Sequence, residues 1–287
     1  MHRNPARTNP NPNHSPAAQT EKAVTEAFKA GYRHVDSAAL YRNEAACGNA
    51  IRKAAQPPLS IPRSDIFFTS KVLSQPGGGA TYESTRAQVD RTLAETKLAY
   101  IDLMLLHAPY GGPAARKGAW LALVEAVEAG KVRSIGVSNY GVHHLAELEK
   151  HMKQLEAERQ GKGGGVLSVG QWEVHPWCAR GDIVDWCKKR GVAVQAYCPL
   201  VHGARWGEPG VRKLAKKYGK SEAQVMLRWA LEKGLTPLPK SVTPSRIREN
   251  SELFGEGFAL TKEEVDGLET DEYSPVCWDP TRSSLRE

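Results

Sequence analysis

The stretch HVDSAALY, residues 34–41, places an acid at the end of a strand-like run and a tyrosine shortly after it. A carboxylate at the end of a buried strand costs several kcal/mol to desolvate unless a cation pairs with it. Asp36 therefore predicts a buried cation elsewhere in the chain. Lys71, at the end of the strand-like run IFFTSK, is the candidate.

The chemistry of such a cluster centres on Tyr41. A tyrosine hydroxyl with an ordinary pKa of about 10 is a poor proton donor and a poor base near neutral pH. A buried ammonium beside it is expected to lower that pKa by stabilising the phenolate. We predict that Asp36 holds Lys71 in place beside Tyr41 and that His107 hydrogen-bonds the same substrate oxygen. This arrangement suits the interconversion of a carbonyl and an alcohol.

Polar residues end most of the predicted strands, and each one alone has an ordinary explanation as a turn cap. In a barrel of parallel strands, however, every carboxyl end opens on the same face, and that face carries the active site. The pattern therefore predicts a single functional cluster. Its members are Asp36, Lys71, His107, Ser138, Asn139, Gln171 and Tyr197.

Strand-like and helical patterns alternate from residue 21 to about residue 270, which predicts a parallel sheet with right-handed crossovers. The closed form of such a series is the α/β (β/α)8 TIM barrel. One strand is missing, because the Asn/Pro-rich start has no run of β-branched or aromatic residues, so either the sheet closes differently or the amino terminus is a truncated or variant one. The seven strand candidates are RHVD, IFFTSK, IDLMLLH, VRSIGVS, VLSVGQW, VAVQAY and LTPLP.

The same pattern sets the expected domain organisation. Residues 1–20 are expected to be a disordered or variant N-terminal segment, and residues 21–287 a single barrel domain with a short C-terminal loop. The loop SQPGGGATYES follows the strand of Lys71 and is expected to border the site. The loop ERQGKGGGV follows a helix and is expected to be a flexible surface loop on the opposite face.

Composition excludes several classes of protein. With 40% hydrophobic and 25% charged residues the chain is globular, and no run of about 18 apolar residues predicts a membrane span. The first twenty residues lack the apolar core of a signal peptide, so a cytoplasmic protein is expected. The net charge of +7 is spread over many helices and suits a small phosphorylated ligand as well as nucleic acid, so composition alone does not choose between them. No nucleic-acid partner is expected, because the basic residues have no aromatic interleaving on a recognisable module.

Cysteine spacing predicts reduced thiols. The chain has five cysteines, an odd number, without C-x-x-C spacing, which argues against a disulfide framework or a structural zinc site. Glu173 and His175 share one face of a strand, but no third ligand is evident near them. We predict no metal site.

The motifs GYRHVDSAALYRNEAACGNAI, IFFTSK, YIDLMLLHAP, GKVRSIGVSNY, QWEVHPW, AYCPL and LPKSVTPSRIREN occur in this order. In sequence and order they resemble the aldo-keto reductase family, in particular small-loop members similar to diketogluconate reductase and aldehyde reductase. The resemblance implies a (β/α)8 barrel and hydride transfer from NADPH to an aldehyde or ketone. It also implies that Tyr41 is the general acid in reduction and the base in the reverse direction. The implied catalytic tetrad is Asp36, Tyr41, Lys71 and His107. Family members usually begin with a β-hairpin, which the start of this chain lacks, and many of them are monomers, so a monomer is expected.

A cofactor site is expected after the last strand. No G-x-G-x-x-G follows a strand, which excludes the usual dinucleotide fold. LPKSVTPSR instead opens a helix, where backbone N–H groups and the helix dipole favour a phosphate. Lys240, Ser241 and Arg246 add donors and charge suited to the 2′-phosphate of NADPH. The competing interpretation is a solvated basic helix start.

The resemblance assigns further residues to the cofactor and the substrate. It implies that Ser138, Asn139 and Gln171 bind the nicotinamide carboxamide, and that Tyr197 stacks on the ring. Many relatives carry a tryptophan where this chain has Ala108, so a wider substrate pocket is expected, with Trp278 of the tail folding over the site. The remaining cofactor residues implied are Pro199, Leu200, Val242, Thr243, Glu249 and Asn250.

Two functions from different classes fit these observations. The first is NADPH-dependent reduction of small aldehydes, ketones or sugar-derived carbonyls. The second is an NADPH-binding sensor or regulatory subunit with little catalysis, which the missing first strand suggests.

Overall fold

The computed structural model describes residues 16–286 and contains seven strands and ten α-helices within that range. The strands are β1 (His34–Asp36), β2 (Phe67–Val72), β3 (Ile101–Leu106), β4 (Val132–Ser138), β5 (Leu167–Glu173), β6 (Ala193–Tyr197) and β7 (Thr236–Leu238). The helices are α1 (Ala17–Lys29), α2 (Glu44–Ala54), α3 (Tyr82–Thr96), α4 (Gly112–Glu128), α5 (Val142–Glu158), α6 (Gly181–Lys188), α7 (Pro209–Tyr218), α8 (Glu222–Glu232), α9 (Pro244–Glu249) and α10 (Lys262–Leu268).

All seven strands are parallel and pair in the order of the chain, β1 to β7. They form a nearly closed barrel surrounded by helices, which confirms the predicted architecture and the seven predicted strands. Within residues 16–286, β1 and β7 have no strand on their outer edges, so the barrel is open between them. Helix α1 packs against α2 and α9, and therefore braces the helices that flank this gap.

Two helices begin earlier than their patterns suggest. Helix α1 begins at Ala17, so residues 17–20 of the predicted N-terminal segment are helical. Helix α4 begins at Gly112 with a proline in its first turn, before the helical pattern RKGAWLALVEAVEAG that starts at Arg116, because proline fits the first helical turn. Residues 1–15 and 287 lie outside the described residues, and so does the greater part of the predicted segment 1–20.

Alternation along the strands separates two packed regions. Met104 and Leu106 point into the main core between the sheet and the helices. Leu103 and Leu105 alternate with them and form a second small cluster with Val169 of β5. That second cluster fills the barrel interior beneath the carboxyl ends of the strands, where the polar residues begin.

Candidate active site

A buried ion pair lies at the carboxyl ends of β1 and β2. Lys71 is fully buried, and its Nζ lies 2.5 Å from Asp36 Oδ1. The same Nζ donates a hydrogen bond of 2.7 Å to the carbonyl oxygen of Ser37. Burial lowers the pKa of Lys71, but Asp36 and Tyr41 raise it, and the net direction is upward. The lysine is therefore an ammonium, and the cation predicted for Asp36 is in place.

Tyr41 is positioned by a tight turn after β1. A short 3-10 helix spans Ala39–Tyr41 and ends at Arg42, whose φ of 53° lies in the left-handed region. Ser37 Oγ donates a hydrogen bond of 2.7 Å to Asn43 Oδ1 and closes the loop. As a result, the ring of Tyr41 lies with its centroid 5.1 Å from Lys71 Nζ.

The acidity of Tyr41 differs from the expectation. Burial raises its pKa above the ordinary value, and this effect exceeds the opposing effect of the Lys71 charge. The hydroxyl is therefore protonated at neutral pH. Lys71 acts in the predicted direction, but the sequence argument left out the desolvation of the phenolate.

His107 follows β3 and faces Tyr41. The two rings meet edge to face with centroids 5.9 Å apart. Burial, and in second place the charge of Lys71, lower the pKa of His107 to about 3. The imidazole is therefore neutral, and one of its ring nitrogens is a donor and the other an acceptor.

The polar residues at the carboxyl ends of β4, β5 and β6 form one hydrogen-bonded network next to this cluster. Asn139 Nδ2 donates to the carbonyl oxygen of His107 at 3.0 Å, and its Oδ1 accepts from Tyr197 OH at 2.9 Å. Ser138 Oγ donates to the carbonyl oxygen of Gln171 at 2.9 Å. These contacts bring together, at one face of the barrel, the four residues that the resemblance assigns to the nicotinamide.

Gln171 connects this network to the ion pair. Its Nε2 donates to Asp36 Oδ2 and to Gln195 Oε1, each at 2.8 Å. Gln195 is buried on β6 and was missed by the sequence argument, which considered only residues at strand ends. In the register of β5 and β6, Gln195 lies opposite Gln171. The available signal was therefore its inward position on the neighbouring strand.

The residues proposed for the phosphate lie at the start of α9, directly after β7. Lys240, Val242, Thr243 and Arg246 are exposed, Ser241 and Glu249 are partly exposed, and Asn250 is buried. Ser241 Oγ accepts a hydrogen bond of 3.1 Å from the backbone N–H of Thr243. Pro199 is buried and Leu200 partly buried, in the turn after β6. Charged and hydroxyl donors thus surround a helix start at the carboxyl end of the barrel.

Comparison with known proteins decides the family. A model of the Aldo/keto reductase family matches residues 6–270. The chain is 43% identical over 265 residues to an uncharacterized oxidoreductase of Schizosaccharomyces pombe, covering 92% of this chain and 89% of that protein. The chain belongs to the aldo/keto reductase family. This membership, and the names of the relatives, support an oxidoreductase.

Other members of the aldo/keto reductase family agree with this assignment. Glyoxal reductase of Bacillus subtilis is 36% identical over 251 residues, covering 88% of this chain and 83% of that protein. The crystal structure of a Bombyx mori aldo-keto reductase in complex with NADP superposes with a TM-score of 0.77 at 30% identity, over 95% of this chain and 89% of that one. Within residues 16–286, no helix has the length and apolar character needed to cross a membrane.

The C-terminal tail of this aldo/keto reductase crosses the mouth of the site. Trp278 is 41% exposed, and its ring lies 6.0 Å from that of His107 and 6.0 Å from that of Tyr110. Ala108 is buried next to His107. The backbone of Gly79 packs closely against the backbone of Tyr110 and Gly111. The loop SQPGGGATYES after β2 therefore borders this region.

Two buried charges hold the tail, and the sequence argument missed both roles. Glu173 accepts hydrogen bonds from the backbone N–H groups of Val276 and Cys277 at 2.7 and 3.0 Å. Arg180 donates to Tyr273 OH at 2.8 Å and to Asp279 Oδ1 at 3.0 Å. These contacts join residues about a hundred positions apart, and no local spacing in the sequence indicates them.

His175 completes the surroundings of Glu173. Its Nε2 lies 2.9 Å from Glu173 Oε1. Burial raises the pKa of Glu173, but hydrogen bonds from His175 and the two tail N–H groups lower it, and the net direction is downward. Glu173 is therefore an ionised carboxylate, and it accepts hydrogen bonds that hold the tail.

Proposed function

We propose that this protein reduces an aldehyde or ketone to the alcohol with NADPH as the hydride donor. The observation that carries the proposal is the convergence of the Asp36–Lys71 ion pair, Tyr41 and neutral His107 at one end of the barrel. A protonated hydroxyl, a fixed positive charge and a neutral imidazole are the groups that proton delivery to a carbonyl oxygen requires.

Each residue has a distinct part in that proton transfer. Tyr41 donates its hydroxyl proton to the carbonyl oxygen as negative charge develops there. Lys71 stabilises the resulting phenolate, because its charge opposes the rise that burial causes in the pKa of Tyr41. Asp36 orients Lys71 through the 2.5 Å contact. His107, neutral because burial lowers its pKa to about 3, donates an N–H to the same oxygen and fixes its position.

The residues around the site fit a nicotinamide dinucleotide. Lys240, Ser241, Thr243 and Arg246 offer exposed or partly exposed donors and positive charge of the kind that binds a phosphate monoester, with Val242, Glu249 and Asn250 beside them. Ser138, Asn139 and Gln171 offer amide and hydroxyl groups for a carboxamide, while Tyr197, Pro199 and Leu200 offer ring and apolar surface. The Bombyx mori relative is a complex with NADP. When bound, the cofactor supplies the hydride.

The substrate pocket lies between Ala108 and Trp278. Ala108 is a small buried residue next to His107, and the partly exposed indole of Trp278 lies over His107. One relative is named glyoxal reductase, a reductase of a small carbonyl compound. We propose small aldehydes and ketones as the substrate class.

The test is the Tyr41→Phe variant, assayed by loss of NADPH absorbance with a reactive aromatic aldehyde. We expect kcat to fall by at least about 100-fold, as for loss of a general acid, while NADPH binding by fluorescence titration is unchanged. Tyr100→Phe is the matched control, because Tyr100 lies at the amino end of β3, where its ring contacts Arg63 and Arg133. Equal turnover by wild type and Tyr41→Phe would refute the proposal.

The second candidate, an NADPH-binding protein with little catalysis, rests on the open edge between β1 and β7 in residues 16–286. It predicts tight NADPH binding without aldehyde-dependent oxidation over a broad carbonyl panel. The same two assays on wild-type protein therefore separate the two functions.

A further inference from the structure

We infer that Cys198, His202 and Cys277 form a binding site for a thiophilic divalent cation such as Zn²⁺ at the rim of the barrel. The two Sγ atoms and one imidazole nitrogen all lie within 4.8 Å of one another. Cys277 Sγ lies 3.5 Å from His202 Nε2. Both cysteines are free thiols. The inference goes beyond the proposed carbonyl reduction, which does not use these residues.

The spacing suits tetrahedral coordination. With Zn–S of about 2.3 Å and Zn–N of about 2.0 Å, a tetrahedral angle separates sulfur from nitrogen by about 3.5 Å and two sulfurs by about 3.8 Å. The observed sulfur–nitrogen distance of 3.5 Å equals the first value. The third ligand atom lies within the same 4.8 Å limit, so small side-chain rotations bring all three to an ion.

The backbone at all three positions is held by the fold. Cys198 directly follows β6 and His202 lies in the 3-10 helix Val201–Gly203, both with φ of 51°. The N–H of Val201 donates to the carbonyl oxygen of Cys198 at 3.0 Å, which closes the turn between the two ligands. Cys277 is fixed by its own N–H, which donates to Glu173 at 3.0 Å. The ligands are therefore arranged before an ion binds.

The donor set defines the ion and the open coordination position. Two thiolates and one neutral imidazole select Zn²⁺ or Co²⁺ over Mg²⁺ and Ca²⁺, which take oxygen ligands. Binding releases one proton from each thiol to solvent, because the thiolate is the ligand. Three protein ligands leave the fourth position for water.

An ion at this site would join the tail to the loop after β6. Cys277 precedes Trp278, whose ring contacts that of His107, and Cys198 follows Tyr197. The ion would therefore fix Trp278 over the substrate pocket and slow exchange through the mouth of the barrel. Occupancy of this site is expected to lower turnover without removing any catalytic group.

The experiment is a Co²⁺ titration of the reduced full-length protein, followed by visible and near-ultraviolet absorption. We expect one Co²⁺ per chain, with the intense d–d bands of a tetrahedral site and thiolate-to-metal charge transfer. Addition of Zn²⁺ should displace Co²⁺ and remove the bands. Cys198→Ser, Cys277→Ser and His202→Ala should each weaken Co²⁺ binding by at least about 10-fold.

Cys187→Ala is the control, because Cys187 is buried in α6 away from the cluster and its replacement removes one thiol. It should keep the Co²⁺ spectrum of wild type. Circular dichroism of each variant separates loss of ligand from loss of fold, and His202→Ala leaves both thiols intact. The inference is overturned if folded wild type shows no charge-transfer band, or if Cys187→Ala and Cys277→Ser bind Co²⁺ equally.

Discussion

At the scale of single residues, the ion pair of Asp36 and Lys71 determines the character of the site. The Lys71 side chain is fully buried, whereas the Asp36 side chain is 17% exposed. The desolvation cost of Asp36 predicted this pair from the sequence. The upward pKa shift of Tyr41 was not predictable, because it depends on how deeply the fold buries the hydroxyl. The Cys198, His202 and Cys277 cluster was missed for a related reason, since its members meet only after the tail folds back.

The ion pair leads to a stability prediction. Lys71→Met keeps the length of the side chain but leaves Asp36 without its cation, so the free energy of unfolding is expected to fall by about 3 kcal/mol. Lys131→Met is the matched control, because the Lys131–Asp90 pair lies 2.5 Å apart at the exposed surface, where such a pair contributes at most about 1 kcal/mol. Urea denaturation of both variants at pH 7.5 gives the values. Equal losses would mean that the buried pair has no special role in the fold.

At the scale of elements, the sequence was most informative where periodicity was strong. All seven strands were predicted because apolar runs at strand length are bounded by turn residues. The tail after α10 has no periodicity, and its position follows from polar contacts to distant strands. Arg180 illustrates this, because its guanidinium contacts Tyr273, Asp279 and Thr281, all in the tail.

Arg180→Lys tests whether these contacts hold the tail. An ammonium cannot reach partners in several directions as the planar guanidinium does. The free energy needed to detach the tail locally is therefore expected to fall by about 2 kcal/mol. Hydrogen exchange in residues 271–286 should rise by at least about 10-fold, and KM for the aldehyde should change while NADPH affinity does not. Arg190→Lys is the control, since Arg190 pairs with Glu149 at the exposed surface. Unchanged exchange in Arg180→Lys would show that Glu173 alone is sufficient.

At the scale of the whole molecule, the open barrel has two short edges. Strands β1 and β7 have three residues each, and β7 contains Pro237, which has no N–H to offer a further strand. The packing of α1 on α9 connects the two sides of the opening. Counting strand patterns predicted the gap, but the helix contacts that brace it depend on tertiary packing that no local pattern encodes.

The loss of stability in acid is a second property of the whole molecule. Buried histidines on different elements contribute to it. Burial is the main reason why the pKa of His107 and the pKa of His144 are lowered to about 3. A group with a depressed folded pKa contributes stability that is present above its unfolded pKa, about 6.5, and is lost as the pH falls toward the folded value. Between these values the unfolded chain binds more protons. Stability is therefore expected to fall from pH 6.5 toward pH 3, by about 2 kcal/mol for each histidine at pH 5.

His144→Gln isolates one of these two contributions away from the site. His144 Nδ1 accepts a hydrogen bond of 3.1 Å from the Gly141 N–H, and the glutamine side chain retains an acceptor for it. Urea denaturation of wild type and variant at pH 7.5 and pH 5.0 gives four free energies of unfolding. On acidification the variant should lose about 2 kcal/mol less than wild type, because glutamine takes up no proton in the unfolded chain. Equal losses in the two proteins would mean that His144 is protonated as readily in the folded state as in the unfolded one.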